Sequence, residues 1–132
     1  MRKKTNNHLY SSYFISLFYY IFFFSEIEIT ILSEIHMIIQ GQGNQSILNN
    51  NFYKEPTEVY VNNIKYDACK KSCELPSDLN NITLIFNEEI NSCENMFNGL
   101  YNIIEIDLSY FDFSLVTNMN SMFRYCYHLQ KI

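Results

Sequence analysis

Four cysteines and three histidines carry most of the chemistry this chain has to offer. Cys69 and Cys73 form a Cys-x-x-x-Cys pair, Cys93 follows, and Cys126 stands just before His128. Thiolates and an imidazole are a zinc donor set, here Cys69, Cys73, Cys93 and His128. The competing chemistry is disulfide formation, for which four cysteines leave three connectivities open. Cys93 and Cys126 lie at apolar positions, which suits buried thiols, and no metal is expected. Cys69 and Cys73 are the disulfide candidates, with each other or one of them with Cys93. A bridge in so short a loop adds little through loop closure but pins Lys70 and Lys71.

Catalysis finds little to work with. His8, His36 and His128 are far apart, and neither Gly-x-Ser-x-Gly nor His-Glu-x-x-His occurs. Glu88-Glu89 reads as a solvated loop, while Asp107 and Asp112 fit an outward strand position and a turn. Gly41-Gln42-Gly43 follows a strand-like run but lacks the third glycine and the Gly-Lys-Ser/Thr that hold a phosphate. No enzyme activity and no cofactor are expected. A net charge of -5 is the wrong sign for nucleic acid.

The elements that must position these residues begin after an unusual N-terminus. Nine of the 22 aromatic rings fall between Tyr10 and Phe24, behind the cationic Met1-Arg2-Lys3-Lys4. A basic start and a short apolar run are the pattern of a secretory signal. An uncleaved anchor extending through Ile27, Ile29 and Ile31 is opposed by Glu26 and Glu28, which are costly inside a bilayer. All 14 acidic residues follow Ser25 and only six basic ones do, so the exported part carries a net of -8. Asn44-Gln45-Ser46 and Asn81-Ile82-Thr83 fit the acceptor pattern for N-glycosylation, in a chain where asparagine is common.

Residues 34–40 read as a strand, and residues 58–66 as a hairpin turning at Asn62-Asn63. Residues 82–86 are strand-like again. From Ile90 onward the chain aligns with itself at an offset of 26: Met96-Phe97 falls on Met122-Phe123, Ile103 on Leu129 and Ile106 on Ile132. Such a period lies within the range of leucine-rich repeats. Val116, Met119, Phe123 and Cys126 recur at helical spacing, and Ile103, Ile106 and Leu108 at strand spacing. The expectation is a repeat of strand, loop and short helix, stacked through Met96, Phe97, Met122 and Phe123.

In order, Ile106-Asp107-Leu108-Ser109, Phe111-Asp112-Phe113-Ser114, Val116-Thr117-Asn118-Met119 and Met122-Phe123-Arg124-Tyr125-Cys126 resemble the repeat of the BspA-like leucine-rich repeat surface proteins. The likeness covers residues 82–132, and the first copy departs from it at residues 87–90. It implies export, display at a cell surface and binding to a protein or host surface, and it brings no catalytic residues.

The sequence thus predicts an α/β repeat solenoid behind a small β cap. The expected divisions are a signal or anchor over 1–25, a β-rich cap over 26–80 and repeats over 81–132. Ile132 falls where a further strand would begin, so a piece of a longer ectodomain is expected. The expected function is non-catalytic binding of a protein or cell-surface ligand by a secreted or surface protein. A structural fragment without binding activity of its own is the alternative. Membrane attachment would come only through the N-terminus or an anchor beyond Ile132. Stacked strands expose one face, so Thr83, Glu105, Asp107 and Ser109 are the candidate contact residues.

Overall fold

The computed structural model describes residues 32–132, so the expected signal or anchor over residues 1–25 lies outside the described residues. Seven strands follow one another: β1 Ser33–Gln40, β2 Gly43–Ser46, β3 Glu58–Val61, β4 Ile64–Lys65, β5 Ser72–Leu75, β6 Leu79–Phe86 and β7 Ile103–Asp107. Five of them form an antiparallel sheet in the order β4-β3-β6-β1-β7, and β2 pairs with β5 in a second, two-stranded sheet. The large sheet draws strands from both sides of residue 80, and β6 itself crosses that point.

Alternation builds the large sheet. In β1, Ser33, Ile35, Met37 and Ile39 are buried while Glu34, His36 and Ile38 face the other way. In β6, Asn80, Ile82, Leu84 and Phe86 point inward. Because successive side chains alternate between faces, the pairing of Ser33 with Phe86 through Gln40 with Leu79 puts both apolar sets on one side. The β3–β4 hairpin turns at Asn62 and Asn63, both left-handed with φ of 51° and 66°. Asparagine tolerates that conformation, and such a turn matches the twist of the flanking strands. On its other edge β1 pairs with β7, where Ile104 is squeezed out between Ile103 and Glu105 as a bulge.

The core beneath the sheet takes Ile47, Leu48 and Phe52 from the segment after β2, and Cys73 and Leu75 from β5. Phe52, Phe86 and Phe111 meet edge to face. Asn102, buried just before β7, donates to Gln45 Oε1 at 3.3 Å and to the Ser46 carbonyl at 3.2 Å. That amide fastens the small sheet to the large one.

The α/β solenoid expected from the sequence is not what the chain forms. Among the described residues there is no helix, and both sheets are antiparallel. None is long and apolar enough to cross a membrane either. The helix expected over Val116, Met119, Phe123 and Cys126 is replaced by consecutive turns, as is the matching stretch around Met96. The backbone gives the reason. The N–H groups of Met96, Asn98 and Leu100 bond three residues back, to Cys93, Asn95 and Phe97. Those of Cys93, Asn95, Phe97 and Gly99 instead cross to the carbonyls of Asn118, Asn120, Met122 and Arg124. A helix needs every N–H within its own coil; here alternate ones leave it. Left-handed residues at Asn95 and Gly99, and again at Ser121 and Tyr125, break the helical path between the turns.

The two coils therefore lie side by side, in parallel bridges between Ser92 and Asn118 and between Glu105 and Lys131. Phe97 is fully buried and stacks on Phe123, with ring centroids 5.6 Å apart and planes 11° from parallel. Met96 and Met122 are buried, but Met119 is 58% exposed, as a helix over this stretch would not leave it. On the far side of the first coil, Asn49 donates its N–H to the Met96 carbonyl and its side-chain amide to the Asn98 carbonyl.

Candidate binding face

The face of the large sheet turned away from the core presents one row that crosses all five strands. Lys65 of β4 pairs with Tyr60 of β3, Tyr60 with Thr83 of β6, Thr83 with His36 of β1, and His36 with Asp107 of β7. Period-two alternation brings these residues to one surface, and the register aligns them. A neighbouring row runs from Asn81 through Ile38 to Glu105. Between the rows lies a shallow groove of about 570 Å³, lined among others by His36, Asn81, Thr83, Glu105, Asp107 and Lys131.

His36 is the hub. Its Nδ1 lies 3.2 Å from Thr83 Oγ1, its Nε2 lies 3.2 Å from Glu34 Oε2, and Tyr110 meets its ring edge-on. Glu105 pairs with Lys131 at 3.2 Å, and Glu58 with Lys65 at 2.8 Å. These are exposed pairs, which set charge and orientation more than stability. Hydrogen bonds from Lys65 and Tyr60 hold the Glu58 carboxyl below its usual range and raise Tyr60 and Lys65. Asp107 is held low by its hydrogen bonds from Ser109, with His36 and Lys131 adding to the effect.

Three of the four candidate contact residues, Thr83, Glu105 and Asp107, thus line the same groove. Ser109 does not join them. It sits beyond the end of β7, where its N–H donates to Asp107 Oδ1 at 2.9 Å and fixes that carboxylate as a local turn does. His36, Tyr60 and Lys131 join this face without a local pattern in the sequence that marks them as its members. For His36 the outward alternation of Glu34, His36 and Ile38 was the available signal, but nothing local placed β1 between β6 and β7.

The remaining candidates fall elsewhere. Cys69 and Cys73 are joined as a disulfide. Cys93 is a free, buried thiol whose pKa burial pushes up to about 11, and Cys126 is free and half-buried, its thiol on the Phe97 carbonyl. The four zinc donors considered from the sequence are thereby separated into a disulfide, a core thiol and an exposed His128. Asn44 lies exposed on β2, and Asn81 lies exposed on the open face of the large sheet.

Thr83, His36 and Glu34 stand in the order hydroxyl, imidazole, carboxylate. That order alone is insufficient for acyl transfer, which needs free N–H donors aimed at a developing oxyanion. Around Thr83 and His36 both β6 and β1 are paired on both sides, so the N–H groups there are spent in the ladders. The arrangement can hydrogen-bond and ion-pair with a partner across a broad, shallow surface. Among known proteins no family model, no curated protein and no solved structure matches this chain.

Proposed function

We propose that this chain is a non-catalytic binding module, secreted or displayed on the outside of a cell, whose open sheet face contacts a protein or cell-surface ligand. The observation that carries this reading is the polar row from Lys65 to Asp107, which spans five strands on the side away from the core. A row of an ammonium, two hydroxyls, an imidazole and a carboxylate offers directional contacts, and a rigid sheet holds them at fixed spacing. The likeness of residues 82–132 to BspA-like surface proteins supports export and binding. So does the Cys69–Cys73 bond, since disulfides persist in oxidising compartments.

The experiment is charge reversal, Glu105→Lys with Asp107→Lys, on a chain tested against arrayed extracellular proteins and glycans. A ligand bound through this face loses at least about tenfold in affinity, ~1.4 kcal/mol. Glu74→Lys, on β5 of the other sheet, leaves binding unchanged.

A further inference from the structure

We propose that Asn81 carries an N-linked glycan that stands over the open face, so that its occupancy decides whether the groove of His36, Thr83 and Asp107 is accessible. This rests on the reading of that face as a contact surface and of the chain as exported. Asn81-Ile82-Thr83 is an acceptor pattern. Its neighbours Asn80 and Ile82 are buried, whereas Asn81 is exposed, on the outward side of β6. It faces Ile38 in register and lines the groove together with Thr83, Glu105 and Asp107. The contrast with Asn80 is sharp. Asn80 donates to the carbonyls of Gly41 and Ser77, so modification there would break the fold. The Asn81 side-chain amide has no hydrogen-bond partner among the described residues, and a sugar on it displaces nothing.

The backbone around Asn81 also sets the order of events. Its N–H donates to Asn62 Oδ1 at 2.9 Å and its carbonyl accepts from the Asn62 N–H at 2.8 Å, within a paired strand. Transfer therefore precedes closure of the β3–β4 hairpin against β6, while the chain is still extended. The donor is a lipid-linked oligosaccharide. Asn81 Nδ2 attacks C1 of its first sugar, the N–C1 bond forms, and one amide proton is lost. The C1–O bond breaks, and the lipid diphosphate departs with the electron pair, with no change of oxidation state. When the sheet then forms, the first sugars stand beside Ile38, between Thr83 and the β3–β4 turn. Asn44, on the two-stranded sheet, lines no part of the groove, and a glycan there leaves the face open.

The test expresses the full chain, Asn81→Gln and Asn44→Gln in a eukaryotic secretory host. Amidase treatment followed by peptide mapping reads occupancy, because it leaves aspartate where a glycan stood. Diethyl pyrocarbonate then probes His36, with the exposed His128 as internal reference. The expected result is a glycan at Asn81, with His36 modified several-fold more slowly than in Asn81→Gln. His128 is unaffected, and Asn44→Gln leaves the protection of His36 intact. An unmodified Asn81, or equal His36 rates with and without the glycan, overturns the proposal. Failure of the face to bind any ligand would appear instead in the charge-reversal experiment, which does not depend on His36 chemistry.

Discussion

Asn49 supplies, from one residue, two of the hydrogen bonds that a neighbouring coil would otherwise supply. Its N–H and side-chain amide reach the carbonyls of Met96 and Asn98, whose counterparts Met122 and Arg124 accept from the N–H groups of Phe97 and Gly99. Asn49→Ala removes the side-chain bond and leaves a carbonyl without its donor. An expected loss of about 1–3 kcal/mol follows, read by urea unfolding. Cys93 gives a second residue-scale outcome. Its thiol is buried and raised to about 11, so the thiolate that reacts is scarce. Iodoacetamide at neutral pH should label Cys93 only after unfolding, and rapid labelling of the native chain would contradict its place in the core. The same raised value fixes a sign. The neutral thiol is favoured in the fold, so its contribution is complete below the ordinary thiol range of ~8.5 and is lost as pH climbs toward the folded value. The carboxylates run the other way. Asp107 and Asp112 are held low by hydrogen bonds from Ser109 and Ser114, and Glu58 and Glu88 by bonds from Lys65 and Lys54. Their contribution is present above the ordinary carboxylate range, about 3.9–4.3, and falls away as pH drops through the lowered values. The urea midpoint should therefore decline below about pH 4, and a midpoint that rises there would contradict these contacts.

The coil pair is the element whose form the sequence misstated. Spacings of three and four among Val116, Met119, Phe123 and Cys126 suit a helix, yet the same residues serve a run of turns that also repeat every few positions. What decides between them is where alternate N–H groups go, and those of Cys93, Asn95, Phe97 and Gly99 find their partners in the second coil, beyond any local pattern. The strands were more legible. The alternation over residues 34–40 and 82–86 and the Asn62-Asn63 turn all lie where β1, β6 and the β3–β4 hairpin form. Local alternation suffices there because one face of each strand must be dry. Within the coil pair the aromatic stack is lopsided, with Phe97 fully buried and Phe123 only half-buried. Phe97→Ala should therefore cost about 3–5 kcal/mol and Phe123→Ala distinctly less, measured by thermal or urea unfolding. Equal costs would mean that the two coils do not stack as described.

Across the whole molecule, the sequence could say which residues face outward but not which outward faces become one surface. Thr83, Glu105 and Asp107 were legible as exposed strand positions, and the groove they share depends on β1 entering between β6 and β7. That placement joins residues far apart in the chain, which is why His36, at the centre, read as isolated. Ser109 lies outside that groove because the strand ends at Asp107, and its N–H turns back to that carboxylate. The acidic balance of the chain sharpens the expectation for a partner. On the open face Glu58 and Glu105 are matched by lysines, while Asp107 has only the Ser109 turn, His36 and Lys131 near it. The most direct measurement is thus the affinity of the folded chain for an arrayed extracellular ligand before and after Glu105→Lys with Asp107→Lys. Asp107→Asn serves as the variant that keeps an oxygen for the Ser109 N–H. The prediction is a loss of at least about tenfold in a variant that still unfolds cooperatively, its midpoint lowered by no more than the exposed Glu105–Lys131 pair and the Asp107–Ser109 bonds contribute. Undiminished affinity in the folded double variant would contradict the open sheet face as the binding surface.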